Sequence, residues 1–394
     1  IDGNGKNQHL KFGLEFYPYE DRTFFCDLNY SDYVKSGFET MYNTDIILDI
    51  SQPEVITITD NEHDGYERGL MAGYSIKLDD EGREISIETD SEFDKHSTSQ
   101  IISSNDESIN TSDSEEHNGY SFKIDYVHPF NSDVPDKTNL LEFGILDKQH
   151  GHRTLFDYDD FATYDFNYAR NILATYLDFT YHISSEFGFK FGTRFEKSIR
   201  VFDANSTEIT PDAGNFYLFM INQNLGNDSF NKSYNTIYPS LFFSYSLKEK
   251  GNLKFGFGRR VERPGDWALA PVPHNFAEED QMRIGNPTIN PEDILKYEVS
   301  YSNRLKIGFL TSSLFFMSIK DAFDWDMDKY EENIDDGTFI QNDNCITDCH
   351  YVLSYDNLAE TTEFGVEVFL MTRPYNWWEC AASTGFLVEH FSFV

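Results

Sequence analysis

The chain has 394 residues, with 68 acidic side chains against 31 Lys and Arg, and a formal net charge of −37. This charge argues against nucleic-acid binding, because contacts to phosphates require clustered basic side chains. No run of about 18 apolar residues occurs, which excludes a helical membrane span. However, Phe, Tyr and Trp make up 16% of the chain, an aromatic excess that mean hydropathy does not reveal.

Alternation of apolar and polar side chains recurs along the chain and predicts β-strands, in which successive side chains lie on opposite faces. In chain order, the clearest apolar faces are Ile85 and Ile87; Tyr120, Phe122, Ile124 and Tyr126; Phe187, Phe189, Phe191 and Phe195; Leu241, Phe243 and Tyr245; and Leu295, Tyr297, Val299 and Tyr301. We count about fourteen such segments. Many have nine to eleven residues or more, roughly the length that a tilted strand needs to cross a bilayer.

The predicted connections between these strands alternate between short and long. Tight turns are predicted near Glu20, Asp80 to Gly82, 131–137, Ser185, Glu249 to Gly251, Arg304 and Arg373. Long polar loops are predicted at 35–67, 98–117, 148–162, 202–233, 262–294 and 319–349. Transmembrane barrels sort their connections in this way, with short turns on one side. The strands of a soluble sandwich, propeller or β-helix also alternate apolar and polar residues. However, these folds do not place short and long connections on opposite sides so consistently. The sequence therefore predicts an all-β fold, a transmembrane antiparallel up-and-down β-barrel.

Two sequence motifs resemble a known family. The first is Gly258-Arg259-Arg260-Val261-Glu262-Arg263-Pro264, and the second, after a loop, is Gly285-Asn286-Pro287-Thr288-Ile289-Asn290-Pro291-Glu292. Tyr238-Pro239-Ser240-Leu241 precedes them, and Glu363-Phe364-Gly365-Val366-Glu367 follows. In this order they resemble the barrel of TonB-dependent outer-membrane receptors, specifically the outer-membrane β-barrel family abundant in Bacteroidota. The likeness runs over essentially the whole chain.

The resemblance implies the barrel of a receptor that actively imports a scarce or bulky ligand across the bacterial outer membrane, and not an enzyme. Such receptors carry a plug and a barrel of 22 strands, so residues 1–394 are expected to be a partial barrel domain without the plug and the last strands. The implied partners are outer-membrane lipid and lipopolysaccharide, the TonB energy-coupling complex acting through the missing plug, and a surface lipoprotein. The alternative is a non-transporting barrel that serves as a scaffold or passive channel in a surface complex; a soluble carbohydrate-binding β protein is a third hypothesis.

Candidate ligand contacts lie in the first motif and directly after it. They are Arg259, Arg260, Glu262, Arg263 and Trp267, and an ion-pair network at the rim or in the lumen is the alternative role for the charged residues. In the second motif, Gly285-Asn286 favours a turn with positive φ.

No catalytic residue is predicted. His63 beside Asp64, and His150 and His152 near Asp157, have the composition of acid–base pairs. However, eleven His among 68 acidic residues make such neighbours common by chance.

No resident cofactor is predicted, and Ca²⁺ is the one metal hypothesis. If their strand continues that far, Asp324, Asp326 and Asp328 share one face and offer the oxygen ligands that Ca²⁺ prefers. The alternative is a solvated run of charge.

Cys345 and Cys349 are predicted to form a short disulfide in an oxidising compartment, with metal binding beside His350 as the alternative.

Overall fold

A computed structural model of the chain describes residues 2–43, 46–47, 50–51, 55–104, 107–158, 162–206, 229–271, 281–333, 338–345, 349–375 and 378–393. Its strands are β1 (Asp2–Tyr19), β2 (Arg22–Asn43), β3 (Ile46–Ile47), β4 (Ile50–Ser51), β5 (Val55–Lys77), β6 (Glu84–Ser104), β7 (Glu107–Asn131), β8 (Thr138–Tyr158), β9 (Ala162–His182), β10 (Phe187–Ser206), β11 (Ser229–Ser246), β12 (Asn252–Glu262), β13 (Gln281–Ile284), β14 (Glu292–Leu305), β15 (Gly308–Asn333), β16 (Thr338–Gln341), β17 (Cys349–Tyr375) and β18 (Trp378–Phe393). A short 3₁₀ helix (Lys248–Lys250) and a four-residue helix α1 (Asp266–Leu269) lie between strands. No helix in these described residues is long and apolar enough to span a membrane.

Sixteen strands join in one sheet, in which each long strand pairs antiparallel with the next long strand along the chain. Without the four-residue strands β13 and β16, fourteen long strands remain, the number that the periodicity predicts. Within the described ranges, β1 pairs only with β2 and β18 only with β17, so the sheet is open between these two edges. The predicted antiparallel up-and-down wall is confirmed.

The two faces of the wall differ in chemistry. The outer face carries a belt of exposed apolar side chains, which includes Phe143, Ile145, Leu173, Leu177, Phe191, Phe195, Tyr297, Val299, Leu314 and Phe316. The inner face carries charges at the same level. Lys190 Nζ, for example, lies 3.5 Å from Glu142 Oε2 and 3.4 Å from Asp178 Oδ2. This is the apolar-out, polar-in arrangement of a membrane barrel.

The predicted tight turns are confirmed at one end of the wall. Strands end and restart at 19–22, 77–84, 131–138, 182–187 and 305–308, and the 3₁₀ helix lies at 248–250. The turn predicted near Arg373 is displaced along the chain, because β17 continues to Tyr375.

Three of the predicted long loops are wrong. Most of 35–67, 98–117 and 148–162 belongs to strands, since β2, β5, β6, β7, β8 and β9 continue well beyond the apolar belt. Beyond the belt the outer side chains no longer face lipid, so the backbone ladder can continue without an apolar outer face, and the loss of the apolar pattern does not end the strand. Similarly, β15 extends into the predicted loop 319–349. Of the predicted loop 202–233, residues 207–228 lie outside the described residues.

The inner segment comprises residues 263–271 and 281–291. Its residues 281–284 form β13, which pairs parallel with β17, and Ala268 to Ala270 and Ile289 lie against the inner face of the wall. Its Ala268, Leu269, Ala270 and Ile289 are all at most 2% exposed. They pack in one cluster with wall residues Phe156, Tyr164, Phe166, Tyr168, Phe202, Ala204 and Tyr355, which lie on β8, β9, β10 and β17. The main apolar core is therefore inside the wall, between the wall and a segment that connects β12 to β14.

The difference between the two faces can be tested at Val299 and Ser300, neighbours on β14. Val299 is on the outer apolar face, whereas Ser300 lines a cavity of about 690 Å³ inside the wall. We expect Val299→Arg to destabilise the folded protein by about 2–4 kcal/mol, the cost of an arginine facing lipid near the middle of a bilayer. Ser300→Arg, which adds the same charge to the polar side, should cost less than about 1 kcal/mol. Urea unfolding in lipid vesicles measures both values, and equal costs would contradict the assignment of faces.

Candidate functional site

Arg263 attaches the start of the inner segment to β10 through a buried carboxylate. Glu196 is 3% exposed and accepts hydrogen bonds from Arg194 at 3.0–3.1 Å and from Arg263 on its other oxygen. A carboxylate so far from water requires such partners, because an unpaired buried charge is strongly unfavourable. Arg263, predicted as a ligand contact or a network residue, has the network role in this structure.

The other predicted contact residues are divided between the two faces of the wall. Arg259 shares the outer face with Phe257 and forms a two-bond pair with Asp293 at 2.7–2.8 Å. Arg260 and Glu262 lie on the opposite, inner face, where Glu262 is directly across from Glu292. The side chain of Trp267 lies outside the described residues. The four charged candidates therefore do not form one ligand site.

The second motif anchors the inner segment to β17 through asparagine side chains. Asn286 Nδ2 donates to the Tyr355 carbonyl at 2.9 Å, and its Oδ1 accepts from the Thr288 N–H at 2.9 Å. Asn357 Oδ1 accepts from the Asn290 N–H at 2.7 Å, and its Nδ2 donates to the Asn290 carbonyl at 3.0 Å. These bonds give the segment defined backbone partners inside the lumen.

The predicted positive φ at Gly285 is wrong, since the described glycines with positive φ are Gly82 and Gly251. Gly285 is required for a different reason. A Cβ atom at this position would lie 2.4 Å from the Ala270 carbonyl oxygen, to which the Gly285 N–H donates at 3.0 Å. Glycine permits this close approach between the two halves of the inner segment.

A cluster of three histidines and one aspartate, which we call the histidine cluster, joins the inner segment to the other side of the wall. His117 on β7 and His152 on β8 are directly opposite each other, with their Nδ1 atoms 2.9 Å apart. Asp266 of α1 reaches them from the inner segment. Its Oδ2 contacts His150 Nε2 and lies 3.5 Å from His117 Nδ1 and 3.9 Å from His152 Nδ1.

The histidine cluster lies beyond the apolar belt of its own strands, at the level where the outer faces of β7 and β8 are polar. On β7 the continuous outer apolar series ends at Tyr120, and Asn118 and Glu116 follow. On β8 it ends at Ile145, and Asp147 follows. The cluster is therefore outside the membrane-spanning part of these strands. Its groups are buried by the inner segment rather than by lipid.

Protonation differs sharply among the members of this cluster. Hydrogen bonds to Asp266 and Glu115 raise the pKa of His117 to about 10, although its partial burial opposes the shift. Burial, together with the nearby His117 charge, lowers the pKa of His152 to about 4. Burial alone would raise the pKa of Asp266, but its bonds to His117 and His150 outweigh burial and hold that pKa below its ordinary value. At neutral pH, His117 is a cation, His152 is neutral and Asp266 is an anion.

The acid–base pairs considered in the sequence do not describe this cluster. His150 and His152 interact with Asp266, which is more than a hundred positions away, and not with the nearby Asp157. One part was accessible from the sequence, because the turn at 132–137 sets the hairpin register that places His117 opposite His152. No feature of the sequence indicated that Asp266 would join the cluster, since its position depends on how the inner segment folds.

The predicted acidic stripe lies on one strand, because β15 runs as far as Asn333. Asp324, Asp326 and Asp328 alternate with Phe323 and Trp325, so they share a face. Among the described residues, the one group of His, Cys, Asp or Glu whose ligand atoms lie within 4.8 Å of one another is His117, His150 and Asp266. The Ca²⁺ hypothesis for the acidic stripe stays a prediction.

Cys345 and Cys349 form a disulfide at the start of β17. Both cysteines are buried. Because the two sulfurs are bonded to each other, they are not available as thiolate ligands in this structure, and metal binding beside His350 is not the arrangement observed.

A comparison with protein families finds one family that matches most of the chain. The profile of the outer membrane protein beta-barrel family matches residues 76–393. No curated protein sequence matches the chain significantly.

Solved structures share the fold at low sequence identity. The ferric yersiniabactin uptake receptor FyuA from Yersinia pestis is 12% identical with a TM-score of 0.51, over 99% of this chain and 60% of the receptor. The ferripyoverdine receptor of Pseudomonas aeruginosa is 10% identical with a TM-score of 0.54, over 99% and 55% of the two chains. The ferric citrate transporter FecA is 11% identical with a TM-score of 0.54, over 98% and 60%. The chain thus spans 55 to 60% of the length of these three proteins.

Replacing the buried carboxylate tests whether Glu196 holds the inner segment. Glu196→Gln leaves the two arginine side chains without their counter-ion, so we expect a loss of about 2 kcal/mol, less than for a fully buried pair because the arginines are partly solvated. Chymotrypsin should then cleave the Trp267–Ala268 bond of the inner segment, where Ala268 is buried in the wild type, at least several-fold faster. The matched control is Asp293→Asn, which breaks the partly exposed pair with Arg259 and should cost less than about 1 kcal/mol. Unchanged cleavage in Glu196→Gln would contradict the anchoring role.

The titration of His117 tests the electrostatics of the cluster. Its pKa is higher in the folded protein, about 10, than the ordinary 6.5. Its contribution to stability is therefore fully present below about pH 6.5 and is lost as the pH rises through 10. Asp266→Asn should shift the His117 pKa down towards 6.5, as followed by NMR of ¹³C-labelled histidine, and should reduce this alkaline loss, while Glu115 retains part of it. Asp165→Asn, which breaks an outer pair with Arg153, should leave the His117 pKa unchanged. An unshifted His117 in Asp266→Asn would refute the assignment.

Proposed function

Because this chain belongs to the outer membrane protein beta-barrel family of the bacterial outer membrane, we propose that it forms the barrel of a TonB-dependent receptor that actively imports a scarce or bulky ligand. Three proteins with the same fold are described as an uptake receptor for ferric yersiniabactin, a receptor for ferripyoverdine and a transporter of ferric citrate. Their cargoes are metal chelates, which supports import of a bulky solute. We assign no catalytic role to the chain.

The inner segment is the observation that carries this proposal. It begins after β12, contacts β7 and β8 through Asp266, packs on β9 and β10, and is bonded to β17 through Asn286 and Asn290. It therefore lies across the inner face of much of the wall. A passive channel for large solutes would need this space open. A lumen narrowed by folded chain is suited to a receptor that holds its ligand outside and opens when energy is supplied.

In this proposal, different regions of the protein have different roles in the receptor. The outer apolar belt contacts outer-membrane lipid, and the strand extensions beyond it present polar side chains towards lipopolysaccharide and the outside. The inner segment, fixed by Glu196, Asn357 and the histidine cluster, forms the inner surface that an arriving ligand meets. In this proposal the energy for opening comes from TonB, which acts through a plug domain.

Contact with TonB is the test that separates import from the alternatives. The tagged protein, cross-linked in living cells, should co-purify with TonB at least tenfold more than a tagged porin from the same membrane. Deleting TonB should also abolish any ligand uptake that depends on this protein. Co-purification no greater than that of the porin would overturn the proposal and would favour a scaffold or a passive channel.

A further inference from the structure

We propose that His117, His150 and Asp266 bind one divalent transition-metal ion, which fastens the inner segment to the wall. The donor atoms of these three side chains lie within 4.8 Å of one another, and no second group of this kind occurs among the described residues. Two donors come from neighbouring wall strands and one from α1. The site is separate from the proposed transport function and does not depend on it.

The donor separations suit a small metal ion. Metal–nitrogen and metal–oxygen bonds of about 2.0–2.2 Å in a tetrahedral site place neighbouring donors roughly 3.3–3.6 Å apart. His117 Nδ1 and Asp266 Oδ2 are 3.5 Å apart. His150 Nε2 is in direct contact with the same oxygen, so this one contact has to lengthen when an ion enters between them.

A further imidazole stands next to the three ligands. His152 Nδ1 is 3.9 Å from Asp266 Oδ2, and its Nε2 lies 2.6 Å from Thr154 Oγ1. When Nε2 carries the proton and donates to Thr154, the lone pair of Nδ1 points into the cluster. His117 also presents Nδ1 to the cluster, while its Nε2 pairs with Glu115 Oε2 at 3.7 Å. Because His117 is a cation at neutral pH, an ion that binds its Nδ1 displaces the proton there. Hydrogen-bonding partners of this kind orient metal-binding histidines. The fourth coordination position is thus available to His152 or to water.

The set of donors selects the class of metal. Two imidazoles and one carboxylate suit Zn²⁺, Cu²⁺, Ni²⁺, Co²⁺ or Fe²⁺. Ca²⁺ and Mg²⁺ prefer sites made of oxygen ligands. The side chains of His117 and His150 are each 23% exposed and that of Asp266 is 15% exposed, so an ion from the outside can reach the site.

Zinc binding to the purified protein tests the proposal. The protein is extracted from outer membranes in detergent, stripped with a chelator and titrated with ZnCl₂, with bound metal counted by mass spectrometry. The wild type should bind one equivalent of Zn²⁺ at this site. Asp266→Asn and His150→Gln, which preserve side-chain size, should each weaken this binding by at least tenfold. His128→Gln is the matched control, because His128 lies on β7 and bonds to Tyr126 outside the cluster.

Two further measurements distinguish a metal site from a simple charge network. Co²⁺ in place of Zn²⁺ should give the visible absorption of a low-symmetry site in the wild type and in His128→Gln, and this absorption should be lost in the two cluster variants. Chymotrypsin cleavage of the Trp267–Ala268 bond should slow at least several-fold on adding Zn²⁺ in the wild type and in His128→Gln, and should not change in the two cluster variants. Circular dichroism confirms that each variant is folded. Absence of bound Zn²⁺ in the wild type, or wild-type affinity in Asp266→Asn or His150→Gln, would overturn the proposal.

Discussion

The structure depends on one constraint, that every backbone N–H and C=O at the level of the lipid must find a partner within the protein. Neighbouring strands meet this constraint by pairing over long registers. For example, β6 and β7 are paired without interruption from Glu84 opposite Val127 to Ser104 opposite Glu107. Once the backbone is satisfied in this way, the outer side chains are free to be apolar and the inner ones to be charged. The apolar belt, the polar lumen and the position of the inner segment all depend on this backbone pairing.

The inner segment shows how a polar lumen can contain a packed core. Its apolar residues cover aromatic side chains of β9 and β10, so the hydrophobic effect operates inside the wall as well as against lipid. Three polar anchors surround this core: the Glu196 carboxylate, the Asn357 amide and the histidine cluster. Each anchor joins the segment to a different part of the wall, so the segment is held in place by bonds that the sheet itself does not need.

The structure shows where the acidic residues that give the net charge of −37 are located. Inside the wall, acidic side chains such as Glu142, Asp178 and Glu196 are paired with Lys190, Arg194 and Arg263. At the far end of β15, by contrast, Asp324, Asp326 and Asp328 share a face without alternating basic residues. The acidic character of the chain therefore divides into a paired lumen and an acidic stripe.

Much of the wall was predictable, because period-two alternation and turn residues are local properties of the chain. Phe187 to Phe195 indicated both the strand and its outward face, and the turn residues located the hairpins at one end. The same signal failed for 35–67, 98–117 and 148–162, where strands continue beyond the belt. There the outer face no longer meets lipid, so an apolar outer face is not required and the composition resembles that of a loop.

The sequence by itself determined the fold class, the number of long strands and the alternation of faces along the belt. Only the tertiary structure showed that the strands continue far enough to pair His117 with His152. Only the tertiary structure decided that Arg263 meets Glu196, that Asn286 bonds to β17, and that Asp266 completes the histidine cluster. The physical reason is the range of the interactions. Strand periodicity and hairpin register are set by neighbours in the chain, whereas the inner segment is positioned by contacts with strands far away in sequence, which form only when the wall surrounds it.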